Sequence, residues 1–383
     1  MSDFGWLRSL LQRPPSKQLW EELCQLIDKA DDQQAREQFI PYIQGYLKRW
    51  PKDFERQVPD TWAVSLCQGD GPLKLALCDA LHLDGEKPAD AIEHLVECDY
   101  LTGLEHLCLA DWTFTDHEIE LLAKFLQCDA LKHLSIHRCE LTDAQLALLC
   151  QQAQWLGQIQ HLSLWGNQLT AEGLKQIAQT PSLSSLENLS LWDNDVTSEG
   201  LEALADAPYF QHLHILDFDD NLIDDKGLIA LAHARSIEHI TSLEIYENDV
   251  SFHGLEAICA SPVFSKLEVL NIRFNTKVSP HGILSLANSP TLASIEHLNI
   301  AGCHVDDETL EALVTSEHFK GTKRLIAWSN QITDDGAQIL ASSPYVSDLD
   351  TLDLDLNKLT QQGRDALADS EYLADEVRVA FER

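Results

Sequence analysis

The chain has 383 residues, 44% of them apolar, and its 62 acidic against 27 basic residues give a net charge of −35. Such a charge repels phosphate backbones and anionic membrane surfaces, so it argues against nucleic-acid and membrane-surface binding and favours basic partners. The same excess also serves simply to solvate an acidic protein, and it selects no function by itself.

Compartment and cofactor use follow from features that the sequence lacks. No run reaches the ~18 apolar residues of a membrane span, and the opening MSDFGWLRSLLQRPPSK lacks the long apolar core of a secretion signal. The ten cysteines are spread singly, without a CxxC pair, so neither a zinc ribbon nor a redox dithiol is indicated. We expect a cytoplasmic protein with reduced thiols and no cofactor.

The first 70 residues have helical rather than repetitive spacing of apolar residues. Lys17–Ala30 and Gln33–Trp50 both predict amphipathic helices, although Pro41 is expected to break or kink the second one. A short strand or the start of a further helix is predicted from three apolar residues, Trp62, Val64 and Leu66. We interpret residues 1–70 as a small helical domain that caps the first repeat unit; a separate binding module is the alternative.

Residues 71–100 are predicted to form a degenerate repeat unit. Cys78, Leu81 and Leu83 take strand positions, and Ile92 with Leu95 take helix positions. A terminal unit of a repeat protein is expected to be irregular, because one of its faces meets a cap or solvent.

Residues 101–368 contain ten copies of one motif. Each copy has a short apolar strand, a turn residue and a helix, and successive turn residues are 27 or 28 positions apart. The turn residues are Trp112, Cys139, Asn167, Asn194, Asn221, Asn248, Asn275, Cys303, Asn330 and Asn357. No unit can bury its apolar face alone, so neighbouring units bury it jointly and the chain forms a solenoid.

The repeat, L-x-x-L-x-L-x-x-N/C-x-L/I/V-T-x-x-G-L-x-x-L-A, resembles the leucine-rich repeat in the long form of ribonuclease-inhibitor-like proteins. The resemblance covers about residues 101–368. It implies an α/β fold, a right-handed horseshoe with parallel strands on the concave side and helices on the convex side. It implies no reaction.

Local signals within the units agree with this fold. Leucines at the first, fourth and sixth positions face one core, and the ninth-position Asn can bond backbone groups where the chain leaves the strand. Thr115 with Glu118 and Thr142 with Gln145 predict capping boxes at helix starts. Glycines near most helix starts indicate close backbone approach, at Gly173, Gly200, Gly227, Gly254, Gly282, Gly336 and Gly363.

Two departures from the pattern lie late in the chain. The seventh unit has one extra residue in its turn, Asn275–Val278, which should project at a rim. Residues 369–383 alternate Val377, Val379 and Phe381, which predicts a closing strand that caps the last unit.

The third, fifth and seventh strand positions point away from the leucine core, and the eighth lies at the edge of that face. Units three to six place aromatics beside acids there, which suits an Arg- or Lys-bearing protein partner through cation–π and ion-pair contacts. The alternative is that the aromatics merely cover neighbouring backbone. The predicted contact residues are Trp165, Trp192, Asp193, Asp217, Asp219, Asp220, Glu244, Tyr246 and Glu247, with Arg273 and Trp328 beyond them. Paired acids such as Asp217 and Asp219 are expected to be solvated.

Catalytic and metal chemistry have weaker signals. His106, His133 and His161 form a column that suggests a metal site, but a column on parallel strands diverges more than a tetrahedral site requires. Serines share this face, yet an open sheet offers no oxyanion pocket, and no P-loop is present. We therefore predict a non-enzymatic scaffold that binds a basic protein. The alternatives are a regulator of a GTPase or other enzyme acting by contact, through concave arginines (Arg138, Arg273 and Arg324), and a metal enzyme; a monomer is favoured.

Overall fold

A computed structural model describes residues 7, 10–29, 40–48, 50, 51, 55–68, 73–124, 128, 130–234, 236, 237, 240–378 and 381. The chain forms two compact units, residues 1–140 with 151–159 and residues 141–150 with 160–383. Within the described ranges, no helix is long and apolar enough to cross a membrane.

The first of these two compact parts begins with helices and continues into strands. Its helices are α1 (Lys17–Asp28), α2 (Ile40–Leu47), α3 (Asp60–Cys67), α4 (Ala91–Val96) and α5 (Asp116–Ala123). Its strands are β1 (Ala80–Leu83), β2 (His106–Ala110) and β3 (His133–His137), paired in parallel and in chain order. The degenerate unit therefore has the strand and the helix that its leucines predict.

The predicted N-terminal helices are present where the structure describes them. The helix predicted from Lys17 is α1, and α2 continues past Pro41 to Leu47. The segment around Trp62 is a helix rather than a strand, with Trp62 and Leu66 buried. Residues 33–39 lie outside the described ranges.

The helical segment packs directly on β1. Gln57 pairs in parallel with Ala80, and the Val58 N–H donates to the Ala80 carbonyl at 2.7 Å. Two indoles join α1 to the chain around α3. Nε1 of Trp20, on α1, donates to the Gln57 carbonyl at 3.0 Å, and Nε1 of Trp62, on α3, donates to Asp28 Oδ1 at 2.7 Å. These contacts support the interpretation of the segment as a cap on the first strand.

The second compact part of the chain alternates short strands with helices. Its strands are β4 (His161–Ser163), β5 (Asn188–Ser190), β6 (Ile215–Asp217), β7 (Ser242–Glu244), β8 (Val269–Asn271), β9 (His297–Asn299), β10 (Arg324–Ile326) and β11 (Thr351–Asp353). Its helices are α6 (Asp143–Gln152, whose last two residues belong to the first unit), α7 (Ala171–Ala178), α8 (Ser198–Asp206), α9 (Asp225–Ala232), α10 (Phe252–Ala260), α11 (Ser279–Ala287), α12 (Asp307–Val314), α13 (Asp334–Ser342), α14 (Gln361–Ala368) and α15 (Asp375–Arg378).

All pairings within this unit are parallel, and equivalent leucines stand beside each other. Leu189 lies opposite Leu216, and Leu216 lies opposite Leu243. All three are fully buried, because they point from the strands towards the helices, and the strand positions on either side of them form an open face. The predicted α/β repeat fold is confirmed.

The turn asparagines form a ladder between repeats. Nδ2 of Asn221 donates to the carbonyl of Asp219 in its own unit and to that of Leu191 in the preceding unit, at 2.9 Å each. Its Oδ1 accepts from the Val196 N–H at 2.8 Å. Asn194, Asn248, Asn275, Asn330 and Asn357 bond in the same way, and Cys303 donates from Sγ to the Ile272 carbonyl at 3.2 Å. The predicted role of this position is confirmed.

A second ladder, of aspartates, joins the helix starts and was not predicted. Asp307 Oδ1 accepts from the Thr333 N–H at 2.8 Å and its Oδ2 from the Thr333 hydroxyl at 2.6 Å. Asp334 bonds Thr360 in the same way. The close approach predicted at the helix glycines is confirmed, and these carboxylates explain part of it: a Cβ at Gly336 would lie 2.3 Å from Asp307 Oδ1. The two capping boxes are also present.

The extra turn residue of the seventh unit lies on the surface, as predicted. Thr276 and Lys277 are exposed, and the Lys277 ammonium pairs with Asp249 of the preceding unit. Ser279, the first residue of α11, has φ of +56°, a left-handed conformation that accommodates the insertion at some cost in strain.

The predicted closing strand at the C-terminus is wrong. Residues Asp375–Arg378 form a helical turn, in which the Ala374 carbonyl accepts from the N–H groups of Val377 and Arg378 at 3.0 Å each. The Arg378 guanidinium stabilises this turn through Asp375 Oδ1 at 2.7 Å and the Ser370 carbonyl at 2.9 Å. Val377 and Phe381 are buried, and Val379 lies outside the described residues.

The asparagine ladder is testable by truncation. Asn221→Ala leaves several buried backbone groups without a partner, each costing about 1–3 kcal/mol, so we expect the free energy of unfolding in urea to fall by ~2–4 kcal/mol. Asn221→Cys should recover part of this loss, because a thiol donates at the equivalent position 303. Asn288→Ala, at an exposed asparagine, is the control and should change stability by less than ~0.5 kcal/mol. Equal free energies of unfolding for all three variants would show that the ladder does not contribute to stability.

Candidate functional site

Three acidic residues stand in a row along one edge of the open face. Asp193, Asp220 and Glu247 have left-handed backbone, with φ of +53°, +49° and +50°. Their N–H groups donate to the next repeat, Asp193 to the Asp219 carbonyl at 3.0 Å and Asp220 to the Tyr246 carbonyl at 2.8 Å. The repeat therefore places one carboxylate per unit at a fixed backbone position. We call these three residues the acidic row.

The acidic row forms no ion pair with the part of the chain that the structure describes. Asp193 and Glu247 are exposed. Burial raises the pKa of Asp220, and the neighbouring carboxylates of Glu247 and Asp193 raise it further. This mutual repulsion means that a positive charge brought to the row would be bound favourably.

A stacked tryptophan pair lies beside the acidic row. The rings of Trp165 and Trp192 have centroids 5.0 Å apart and planes inclined by 21°. Trp192 is 38% exposed, so the pair offers an indole surface to solvent. Burial raises the pKa of the neighbouring Tyr246 hydroxyl, and a hydrogen bond from Trp192 opposes that shift.

The predicted acids nearest the sheet centre are half-buried and hydrogen-bonded to the protein. Ser190 donates from Oγ to Asp217 Oδ2 at 2.7 Å, and the Tyr246 N–H donates to Asp219 Oδ1 at 2.6 Å. Nδ2 of Asn271 donates to Glu244 Oε2 at 3.1 Å and to Asp219 Oδ2 at 3.3 Å. The expectation that Asp217 and Asp219 form an ordinary solvated pair is therefore wrong.

Asp219 has the most perturbed carboxyl of this cluster. Burial, followed by repulsion from Asp217, raises its pKa from 3.8 to about 8. Burial also raises the pKa of Asp217 and of Glu244. Asp219 is therefore largely protonated at neutral pH, and the formal charge of the sequence overstates the charge here.

Three aromatic rings already enclose a cation of this chain. The Arg273 guanidinium carbon lies 4.8 Å from the ring centroid of Tyr246, 4.9 Å from that of Phe274 and 5.0 Å from that of Trp328. Phe274 and Trp328 meet edge to face, with centroids 5.1 Å apart. Tyr246 and Trp328, predicted as partner contacts, are thus engaged by Arg273.

The aromatic enclosure depends on two small residues in the unit between its walls. Arg273 and Phe274 belong to the seventh unit and Trp328 to the ninth, and the eighth has Ala301 and Gly302 at the equivalent positions. A Cβ at Gly302 would lie 2.1 Å from Cδ1 of Phe274. Phe274 was missing from the predicted site; an Ala-Gly pair between aromatic units is the sequence signal that indicates it.

The first two residues of the histidine column stack on each other. His106 and His133 stack with ring centroids 3.9 Å apart, and His161 lies on a strand of the second unit. Cys108 Sγ lies 3.8 Å from His137 Nε2, but burial raises the pKa of this thiol to about 11, so it is not a thiolate at neutral pH. Within the described ranges, no three His, Cys, Asp or Glu side chains are placed to hold a metal ion.

The Asp219 carboxyl gives a pH prediction with a defined sign. Its folded pKa of about 8 exceeds the unfolded value, so the folded protein holds a proton that the unfolded chain loses, and stability falls as the pH rises from about 4 to about 8. The limiting slope is ~1.4 kcal/mol per pH unit. Asp219→Asn should reduce the loss of unfolding free energy between pH 6 and 8 by ~1–2 kcal/mol, less than the limit because the carboxyl is partly exposed.

The matched control for this experiment is Asp355→Asn, at an exposed acid of the same face. It should leave the pH dependence of urea unfolding unchanged. A slope that Asp219→Asn does not alter, or that both variants alter equally, would contradict a neutral Asp219.

Comparisons with known proteins agree with the repeat geometry. A family model of the PRAME C-terminal domain matches residues 85–203, and a leucine-rich-repeat model matches residues 211–232 and 291–314. No curated protein sequence matches the chain.

Solved structures also resemble it. A structure of the yeast Rad7–Elc1 complex matches with a TM-score of 0.53 and 15% identity, over 97% of this chain and 92% of that chain. An internalin (InlF) from Listeria monocytogenes has a TM-score of 0.48, 18% identity and coverage of 95% and 96%. The plant peptide hormone receptor RGFR1, solved in complex with RGF2, matches with a TM-score of 0.34 and 14% identity, over 79% of this chain and 48% of that chain.

At such identities, structural likeness shows the fold alone. The ribonuclease-inhibitor-like subclass stays a prediction, since neither family model selects it. The repeat register, the buried leucines, the turn ladder and the leucine-rich-repeat match point to one conclusion. The chain has a leucine-rich-repeat fold.

Proposed function

We propose that this protein is a non-enzymatic scaffold that binds a basic segment of a protein partner on the open face of its repeats. The observation that carries the proposal is the stacked pair of Trp165 and Trp192 beside an acidic row with no cation of its own among the described residues. Scaffolding by protein contact is consistent with the fold; the basic character of the partner is inferred from this site.

The pair and the row together suit an arginine or lysine side chain. An indole face attracts a cation by about 0.5–2 kcal/mol, more when water is excluded. A carboxylate beside it adds a charge-assisted hydrogen bond, which is stronger than a neutral one. Because the row is fixed by left-handed backbone in each unit, little ordering of main chain is required on binding.

The contact surface is smaller than the sequence predicts. Asp217, Asp219 and Glu244 are engaged in hydrogen bonds inside the face, so we assign them to its support. Tyr246 and Trp328 already hold Arg273, so we leave them out of the proposed contact. Trp165, Trp192 and the acidic row remain as the proposed contact.

The alternative of a GTPase regulator that inserts an arginine is left with the exposed Arg324 among its three candidate residues. Arg138 forms two bonds of 2.7 Å with Asp111, and Arg273 is enclosed by aromatic rings. A finger must reach a nucleotide held by another protein, which neither residue can do from these positions. We also propose a cytoplasmic protein, consistent with its singly spread cysteines, such as Cys303, whose pKa burial raises to about 12.

Capture from the native cell extract tests the proposed contact. Trp192→Ala and Asp220→Lys should each reduce retention of the partner at least tenfold while leaving folding intact, because the Trp192 side chain is exposed and that of Asp220 is only half-buried. Retention by the wild type should fall with added salt, as expected for an exposed ion pair.

The control is Tyr372→Ala, at an aromatic residue that is 40% exposed, close to the exposure of Trp192. It should retain the partner fully. Equal retention by all variants would place the contact elsewhere, and unfolding of Trp192→Ala would contradict its assignment to the open face.

A further inference from the structure

A second, differently charged site lies on the same open face, in the second of the two compact parts of the chain, residues 141–150 with 160–383. Strands β7 to β11 border an open cleft of about 400 Å³, whose lining includes Arg273, His297, Arg324, Asn299 and Trp328. Three basic side chains are therefore gathered in one place on a protein of net charge −35. The cleft adjoins the acidic row through the backbone, since the Glu247 N–H donates to the Arg273 carbonyl at 2.9 Å.

Two side chains of the cleft that can donate hydrogen bonds are available to a ligand. His297 and Arg324 lie directly opposite each other on β9 and β10, and both are exposed. Among the described residues, neither side chain forms an ion pair or hydrogen bond. Arg273 contributes a buried Nε with no hydrogen-bond partner. Asn299 accepts from the Ala301 N–H through Oδ1, which leaves its NH₂ group to donate.

The acids that border the cleft are occupied and peripheral. Glu244 accepts from Asn271 Nδ2 at 3.1 Å, and Asp353 Oδ1 accepts from the Asp355 N–H at 3.0 Å. They belong to β7 and β11, the first and last of the five strands, whereas His297 and Arg324 lie between them on β9 and β10. The centre of the cleft is therefore a cluster of hydrogen-bond donors with positive charge.

We propose that this cleft binds a side-chain carboxylate of the protein partner, an Asp or Glu on an extended segment. A planar carboxylate matches the donor fork of a guanidinium, and the imidazole and amide complete its hydrogen bonding. The inference deepens the proposed function and rests on it, because it gives the partner a basic group at the acidic row and an acid at the cleft. Charge complementarity at two points selects both the partner and its direction.

The geometry also sets the spacing of those two groups. From β5, which precedes Trp192, to β9 and β10 is four to five strands, or about 19–24 Å at ~4.8 Å per strand. An extended chain covers ~3.3 Å per residue, so the basic residue and the acid of the partner should be about six to seven residues apart.

The test is NMR of the full chain labelled at histidine, with the His297 ring as reporter and His297→Gln to assign it. The probe is the capped tripeptide Ac-Gly-Glu-Gly-NH₂. It should shift the His297 resonances with saturation, whereas Ac-Gly-Gln-Gly-NH₂, of the same shape without charge, should not. Arg324→Gln should weaken the binding of the glutamate peptide at least fivefold, and Arg324→Lys should restore part of it.

The matched control is Lys266→Gln, which removes one exposed positive charge outside the cleft and should leave the affinity unchanged. Equal shifts by the glutamate and glutamine peptides, or equal weakening by Lys266→Gln, would overturn the proposal. A response to Ac-Gly-Gly-Gly-OH or to inorganic sulfate but not to the glutamate peptide would also overturn it, because the ligand would then be a terminal carboxylate or a simple anion.

The acidic row is probed separately with Ac-Gly-Arg-Gly-NH₂, followed by the indole resonances of the tryptophans. Binding of the arginine peptide without the glutamate peptide would refute the cleft alone. Binding of the glutamate peptide without the arginine peptide would support the cleft and count against the basic contact of the proposed function.

Discussion

The bond between a turn asparagine and the strand before it fixes the rest of this structure. One side-chain amide satisfies carbonyls of two successive units and one N–H, as Asn221 does for Leu191, Asp219 and Val196. Because buried backbone groups must be paired, the ladder holds each unit at a constant offset from the next. The leucine register, the direction of the open-face side chains and the left-handed row all depend on this offset.

A second constraint acts where the helices begin. The carboxylates of Asp307 and Asp334 each bond the residue that precedes the helix of the following unit. For Asp334, hydrogen bonds from Thr360 hold its pKa below the usual range, so it stays charged. One ladder thus fastens the turn after each strand and the other the start of several helices, and the intervening residues are free to vary.

The sequence was sufficient for the repeat because each signal recurs. A single Asn or Leu means little, but at constant spacing each repeat of the pattern confirms the others. The aspartate ladder was missed because its bonds join residues 26 or 27 positions apart that are conspicuous only once the units are stacked. The closing strand at Val377 was wrong because alternation over five residues outweighed the local bonding of Asp375 with Arg378.

The sequence was sufficient to predict which residues share the open face, but not which of them are charged and accessible there. The strand period placed Trp165, Trp192 and the acids on one face. Whether an acid is solvated depends on the distances between side chains of neighbouring repeats. The same distances raise the pKa of Asp219 and place the Arg273 guanidinium against the Tyr246 ring. The same limit hid the positive cleft, since His297 and Arg324 lie in a predominantly acidic sequence and became neighbours only by strand pairing.

Gly302 gives one position of the fold control over the electrostatic potential of a whole face. Any side chain there would displace the Phe274 ring, and the Arg273 guanidinium would lose one of the three rings that hold it. That cation would then be able to turn towards Asp219 and its neighbours. The composition of the surface would be unchanged and its formal charge identical, yet the balance between its negative and positive regions would shift. Homologous repeats of equal charge can in this way differ in the partner they accept.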